Sequence, residues 1–170
     1  TNVYFSPDGE KVFYTSNTDV KLPENDIAKV LTNINATVES RDLQKGQTYL
    51  FDRKEGTNYL IDVALSDNLN NNVKPAKTDP LLLQFRSLRD QASPLTTQNL
   101  SWYPDSNHLI IRSDNGVNII DYDGQNNVAI TSGALKDKFA VASPDGNRLI
   151  ILSNLNQKPT TFNLISLDLK

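Results

Sequence analysis

The chain has 170 residues and a net charge of −3, from 17 Lys and Arg against 20 Asp and Glu, a balance that disfavours nucleic acid and anionic membrane surfaces as partners. It contains no cysteine, which excludes a disulfide framework, a thiolate metal site and a cysteine nucleophile. No apolar run approaches the ~18–20 residues of a membrane-spanning helix, and the lack of methionine, at position 1 included, is expected of a piece of a longer protein.

Taken in chain order, residues 2–6 and 11–16 read as two strands joined by Pro7-Asp8-Gly9. An insertion over residues 19–46 follows. Within it, Pro23 and the acidic residues after it predict a short helix over 27–31. Residues 48–52 and 59–64 resume the strands around a turn at 54–57. Residues 66–98 form a second long interruption, in which the apolar piece 81–85 predicts an extra strand or a patch packed on a sheet. Loops this long in a compact domain carry function or disorder. The next unit is the clearest, with strands at 99–103, 107–113, 117–122 and 128–131. Asp114-Asn115-Gly116 and Asp123-Gly124 separate them, because Asn and Gly accept the positive φ of tight hairpins. The last unit has strands at 139–143, 148–153 and 161–169 and lacks a fourth.

One motif recurs three times: an apolar strand, a Pro-Asp turn and a second apolar strand. Its turns are Ser6-Pro7-Asp8-Gly9, Tyr103-Pro104-Asp105-Ser106 and Ser143-Pro144-Asp145-Gly146. The second and third lie about 40 residues apart, the length of a four-stranded propeller blade. The first lies more than twice as far from the second, so the first unit carries the insertions. Pro presets φ, Asp bonds back to the backbone and Gly supplies positive φ, so the motif is read as turn chemistry. Ser106 in place of Gly predicts a different turn geometry in the middle copy. Apolar alternation nominates Val12, Tyr14, Ile110, Ile119, Leu149 and Ile151 for packing sheet on sheet, and Trp102 and Tyr103, on an inner strand, are expected to pack one between units and the other toward the neighbouring sheet.

No residue pattern nominates a reaction. His108 is the only histidine and begins a strand just after a turn, which reads as a solvated or packed side chain. Asp121-Tyr122-Asp123-Gly124 superficially resembles the start of a calcium loop. Such a loop needs a bidentate Glu at its twelfth position, and Ser132 stands there. No cofactor and no metal site is expected.

The three Ser-Pro-Asp-Gly-like turns resemble the WD40-like propeller repeat of the TolB type. A narrower likeness runs through residues 51–59, 102–110, 120–124 and 143–152, which resemble the C-terminal region of bacterial PEGA-domain surface proteins. The resemblance implies a non-enzymatic, extracytoplasmic binding or scaffold role at the cell envelope, with a membrane anchor outside this segment. The expected fold is all-β. It is a single domain over 1–170 forming a partial β-propeller of about three antiparallel blades: 1–65 with its insertion 19–46, then 99–134 after the linker 66–98, then an incomplete 138–170. The expected partner is a protein or glycan, and the end sheets of a partial ring favour self-association through uncovered apolar faces unless the insertions close the array. The alternative reading is an accessory propeller of a hydrolase or peptidase whose catalytic domain lies elsewhere.

Overall fold

The computed structural model describes residues 3–23, 39–61, 99–113, 116–154 and 161–169. Among the described residues the protein is all-β, antiparallel throughout and without helix. Strands β1 (Val3–Phe5) and β2 (Lys11–Thr15) open the chain. The insertion at 19–46 then leaves and returns as a two-stranded ribbon of β3 (Val20–Lys21) and β4 (Asp42–Leu43). Strands β5 (Thr48–Asp52) and β6 (Thr57–Leu60) complete sheet I in the order β1-β2-β5-β6. Sheet II comprises β7 (Leu100–Trp102), β8 (His108–Ser113), β9 (Gly116–Asp121) and β10 (Val128–Ser132), each paired to the next. Sheet III has three strands, β11 (Leu135–Ala142), β12 (Arg148–Ser153) and β13 (Asn163–Asp168). None of these sheets closes on itself. The helix expected over 27–31 and the strand expected over 81–85 lie outside the described residues.

Sheet II sits between the other two, and the period-2 alternation of β8 explains how. Leu109 and Ile111 point to one face and join Phe13, Leu50, Tyr59 and Ile61 of the first unit in one apolar cluster. Ile110 points to the other face and joins Leu135, Ala140, Leu149 and Ile151 of sheet III in a second. A strand buried on both faces reads as a near-continuous apolar run, and Leu109-Ile110-Ile111 is that run. Arg112, next on the face toward sheet III, is buried and donates through Nε to the Ala140 carbonyl at 2.8 Å. Trp102 packs in the first cluster and Tyr103 in the second.

The core expectation for β2 is corrected by one residue. Phe13 is 1% exposed and packs toward sheet II, whereas Val12 and Tyr14 are half-buried on the opposite face of sheet I. Phe13 lies opposite Leu50, and Tyr4 opposite Phe13, so these three share the inward face. A one-residue change of parity exchanges the two faces of a strand completely. Ile119 is likewise half-buried, at the margin of the second cluster, while Ile110, Leu149 and Ile151 are in the core as expected.

Candidate functional site

The three Pro-Asp turns lie side by side at one end of the stacked sheets. Their geometry is the same in all three. The fourth residue takes a positive φ: 73° at Gly9, 62° at Ser106 and 68° at Gly146. The inner bonds run from Gly9 N to Ser6 O, from Ser106 N to Tyr103 O and from Gly146 N to Ser143 O, at 2.9, 3.2 and 2.9 Å. The outer bonds run from Ser6 N to Lys11 O, from Tyr103 N to His108 O and from Ser143 N to Arg148 O, at 2.8, 2.9 and 2.8 Å. The different geometry expected at Ser106 is therefore corrected: this serine adopts the conformation of its glycine counterparts.

A left-handed serine costs on the order of 1 kcal/mol, and a specific contact offsets it. The Asp8 N–H of the first turn donates to the Ser106 hydroxyl at 3.1 Å. On the other flank, the Tyr103 hydroxyl donates to the Gly146 carbonyl of the third turn. Tyr103 stands where the outer copies have Ser6 and Ser143. Both departures of the middle copy from the repeat thus make bonds between turns, one to each neighbouring sheet. The signal was present in the sequence as two substitutions in the copy that lies between the others.

In the outer copies the serine serves its own turn. Ser6 Oγ donates to Asp8 Oδ1 at 2.5 Å and accepts from Lys11 N at 2.9 Å. Ser143 Oγ does the same with Asp145 Oδ1 and Arg148 N, at 2.5 and 3.0 Å. In the middle copy, Asp105 Oδ1 accepts from Asn107 N and His108 N, and its Oδ2 lies 2.6 Å from His108 Nδ1. Pro7, Pro104 and Pro144 occupy the second position of each turn, where their fixed φ suits the bend.

These bonds set the charge of the row. Asp145 is held down to about 2 by the Ser143 hydroxyl and by the backbone and side chain of Asn147. For Asp8, partial burial pushes the carboxyl up, but the bonds from Ser6 and Glu10 N, the charge of Lys11 and the contact with Ser106 together hold it below its ordinary value. A depressed folded-state value means that the carboxylate contributes stability above its unfolded value and loses it as pH falls through the folded one. For Asp145 the loss therefore falls between about pH 4 and pH 2. An NMR titration should place its midpoint near 2, and Ser143→Ala should move it up toward the ordinary carboxylate range. An unchanged midpoint in that variant would remove the serine as the main cause.

The ties between turns are testable in the same way. Ser106→Ala keeps the left-handed backbone but loses the acceptor for Asp8 N, and Tyr103→Phe loses the donor to Gly146. Each should lower the stability read from urea unfolding by about 1 kcal/mol. Ser106→Gly should cost less than Ser106→Ala, because glycine relieves the positive φ. Equal costs would show that the positive φ carries no strain for alanine, and an unchanged stability in Ser106→Ala would show that the hydroxyl contact contributes nothing.

Beside the row, Asp8, Glu10, Lys11, Asp52 and Lys54 line an open hollow of about 480 Å³. Asp52 Oδ1 caps its own turn by accepting from Lys54 N and Glu55 N at 2.8 and 3.0 Å. Lys11 runs inward between sheets I and II, with Nζ 4.8 Å from the centre of the Tyr122 ring and 3.5 Å from Asn107 Oδ1. Burial, followed by the nearby Glu55, pushes the Tyr122 phenol well above its ordinary value, so it stays neutral. The lining presents both signs of charge within one hollow.

His108 joins two turns, with Nδ1 toward Asp105 and Nε2 3.3 Å from Asp121 Oδ1. Asp121 Oδ2 accepts from Asn126 Nδ2 at 2.6 Å, and Asp123 Oδ1 accepts from Gln125 N at 3.0 Å. The carboxylates of the calcium-like segment thus bond within their own turn and to His108, and Ser132 lies away on β10. Among the described residues, no group of three or more His, Asp or Glu is placed to hold a metal ion. No helix among them is long and apolar enough to cross a membrane. Neither a family model nor a curated protein matches the chain.

Proposed function

We propose that sheets I, II and III are blades of a partial WD40-like β-propeller and that the chain is a non-catalytic binding or scaffold module of a bacterial cell-envelope protein. The observation that carries this reading is the repetition in space: successive sheets stack in chain order, each presents the same Pro-Asp turn at the same end, and the middle turn is bonded to both others. Such a row holds loops rigidly at one end of the stack, and ligands are bound by loops on a rigid scaffold. The mixed-charge hollow at that end fits a protein or glycan surface, with no cofactor required. The resemblance to TolB-type repeats and PEGA-domain surface proteins supplies the extracytoplasmic setting. The apolar side chains exposed on the outward face of sheet I, Val3 and Phe5, support self-association, which light scattering would read as a mass above 19.0 kDa.

The test is cosedimentation of the purified protein with isolated bacterial envelope fragments and with purified murein. Saturable binding without release of fragments is expected, and the charge-reversed pair Glu10→Lys with Lys54→Glu should weaken it. Equal binding by that variant would remove the hollow as the site. The absence of any saturable binding would overturn the reading.

A further inference from the structure

Sheet III ends in a strand edge unlike the others. In its ladder with β12, Leu169 N donates to Asn147 O at 3.0 Å. Pairing is unbroken from Arg148–Asp168 to Ser153–Asn163. Antiparallel pairing alternates bonded and non-bonded residues, so Leu167, Ile165 and Asn163 bond to β12. The N–H and C=O groups of Asp168, Ser166 and Leu164 therefore face away from the sheet. All three residues are exposed.

The other edges among the described residues are short, broken or covered, as natural sheets blunt their edges. Strands β1 and β7 have three residues each. The register of β10 breaks between Ala129 and Thr131, and that of β11 between Leu135 and Ala140. The edge of β6 is covered by Ser40, which takes the Leu60 N–H on its hydroxyl at 3.1 Å and donates its own N–H to Asn58 O at 2.6 Å. Strand β13 has six residues, a regular ladder, and no proline, lysine or arginine.

The packing beneath this edge is also incomplete. Among the described residues, the cluster between sheets I and II leaves Tyr4 and Tyr122 partly buried at its margin. Between sheets II and III it leaves Ile119, Ile130, Ala142, Ile165, Leu167 and Leu169 partly buried. Ile119 and Ile130 belong to the outer two strands of sheet II, and Ile165 and Leu167 to β13. Among the described residues sheet II has four strands against three in sheet III, so Ile119 and Ile130 lie at a margin that no fourth described strand of sheet III faces.

We infer that the β13 edge is a docking site for one extended segment of a partner polypeptide. The segment adds antiparallel to β13 and has apolar side chains at alternate positions facing Ile119 and Ile130. Backbone bonds to Leu164, Ser166 and Asp168 supply the affinity, and the apolar strip selects the sequence, as in strand addition generally. A second copy pairing β13 with β13 does not fit. The two-fold axis of such an antiparallel pair keeps both copies of sheet II on the same side, and each would then occupy the strip beside the other's β10. The inference rests on the binding-module reading and names the chemistry of its partner.

The test uses hydrogen exchange on the whole chain with a synthetic peptide of residues 126–133, the segment that fills the fourth position in sheet II. Without peptide, the amides of Leu164, Ser166 and Asp168 should exchange fast and those of Ile165 and Leu167 slowly. Saturating peptide should slow the first three by about tenfold or more. The same peptide with Ile130→Pro should have no effect. Ser166→Pro in the protein should abolish binding while leaving the fold intact, because that N–H faces solvent and edge strands accept proline there. Slow exchange at Leu164, Ser166 and Asp168 in the free monomer, or no slowing by peptide, would overturn the proposal. Protection that rises with protein concentration alone would overturn it in favour of a second copy. Envelope binding that persists when the peptide fails would sink the edge site and leave the binding-module reading standing.

Discussion

Gly116→Ala should destabilise the protein by about 3 kcal/mol or more, the sum of a strained backbone and broken ladder bonds. Gly116 opens β9 at φ 149° and lies opposite Ser132 of β10. A Cβ there would fall 2.1 Å from the Thr131 carbonyl oxygen, and 3.1 and 3.2 Å from neighbouring backbone atoms. Backbone cannot rotate away as a flexible side chain can, so β10 must shift, and with it the Ile130 contact to the second cluster. Gly9→Ala is the control. Gly9 also has a positive φ, but nothing lies within 4 Å of its Cβ position, so only the conformational cost of about 1–2 kcal/mol applies. Urea unfolding of the two variants measures the difference. Equal losses would show that β10 gives way at no cost.

Phe13→Ala is the second large effect, expected at about 3–5 kcal/mol for an aromatic side chain removed from a closed core. Phe13 is 1% exposed, stacks on Tyr4 at 4.8 Å between ring centres and meets Trp102 at 5.8 Å. It therefore links two strands of sheet I to β7 of sheet II. Trp102 is further anchored by its indole N–H, which donates to the Tyr4 carbonyl at 3.1 Å. Val12→Ala, on the opposite face of the same strand, should cost less, about 1 kcal/mol, because the side chain is smaller and only partly buried. The reverse order of the two losses would mean that β2 is turned over in solution.

Together the pair tests the assignment that sequence periodicity missed. In Lys-Val-Phe-Tyr-Thr the three apolar residues are consecutive, so one parity carries Val12 and Tyr14 and the other Phe13. Alternation alone therefore does not say which set points inward. The neighbouring strands decide it: Tyr4 and Leu50 stand beside Phe13 and share its face. Strand β8 poses the opposite case. Its unbroken apolar run allows no alternation to be read, and the structure explains the run by packing both faces of sheet II.

What the sequence by itself determined about this protein was local. The all-β class, the approximate places of most described strands and the three Pro-Asp turns follow from proline's fixed φ, the back-bonding of aspartate and the pairing of apolar runs, whereas the β3–β4 ribbon and the true bounds of β6 and β11 did not. Tertiary structure alone decided how those pieces meet. It turned Phe13 inward, made Ser106 adopt a glycine's conformation by giving its hydroxyl the Asp8 N–H, and sent Tyr103 to Gly146. Among the described residues it also left Leu164, Ser166 and Asp168 of β13 exposed at the edge of sheet III. The physical reason is range: these outcomes depend on groups about 40 to 100 positions away in sequence that only the stacking of one sheet on another brings within hydrogen-bonding distance.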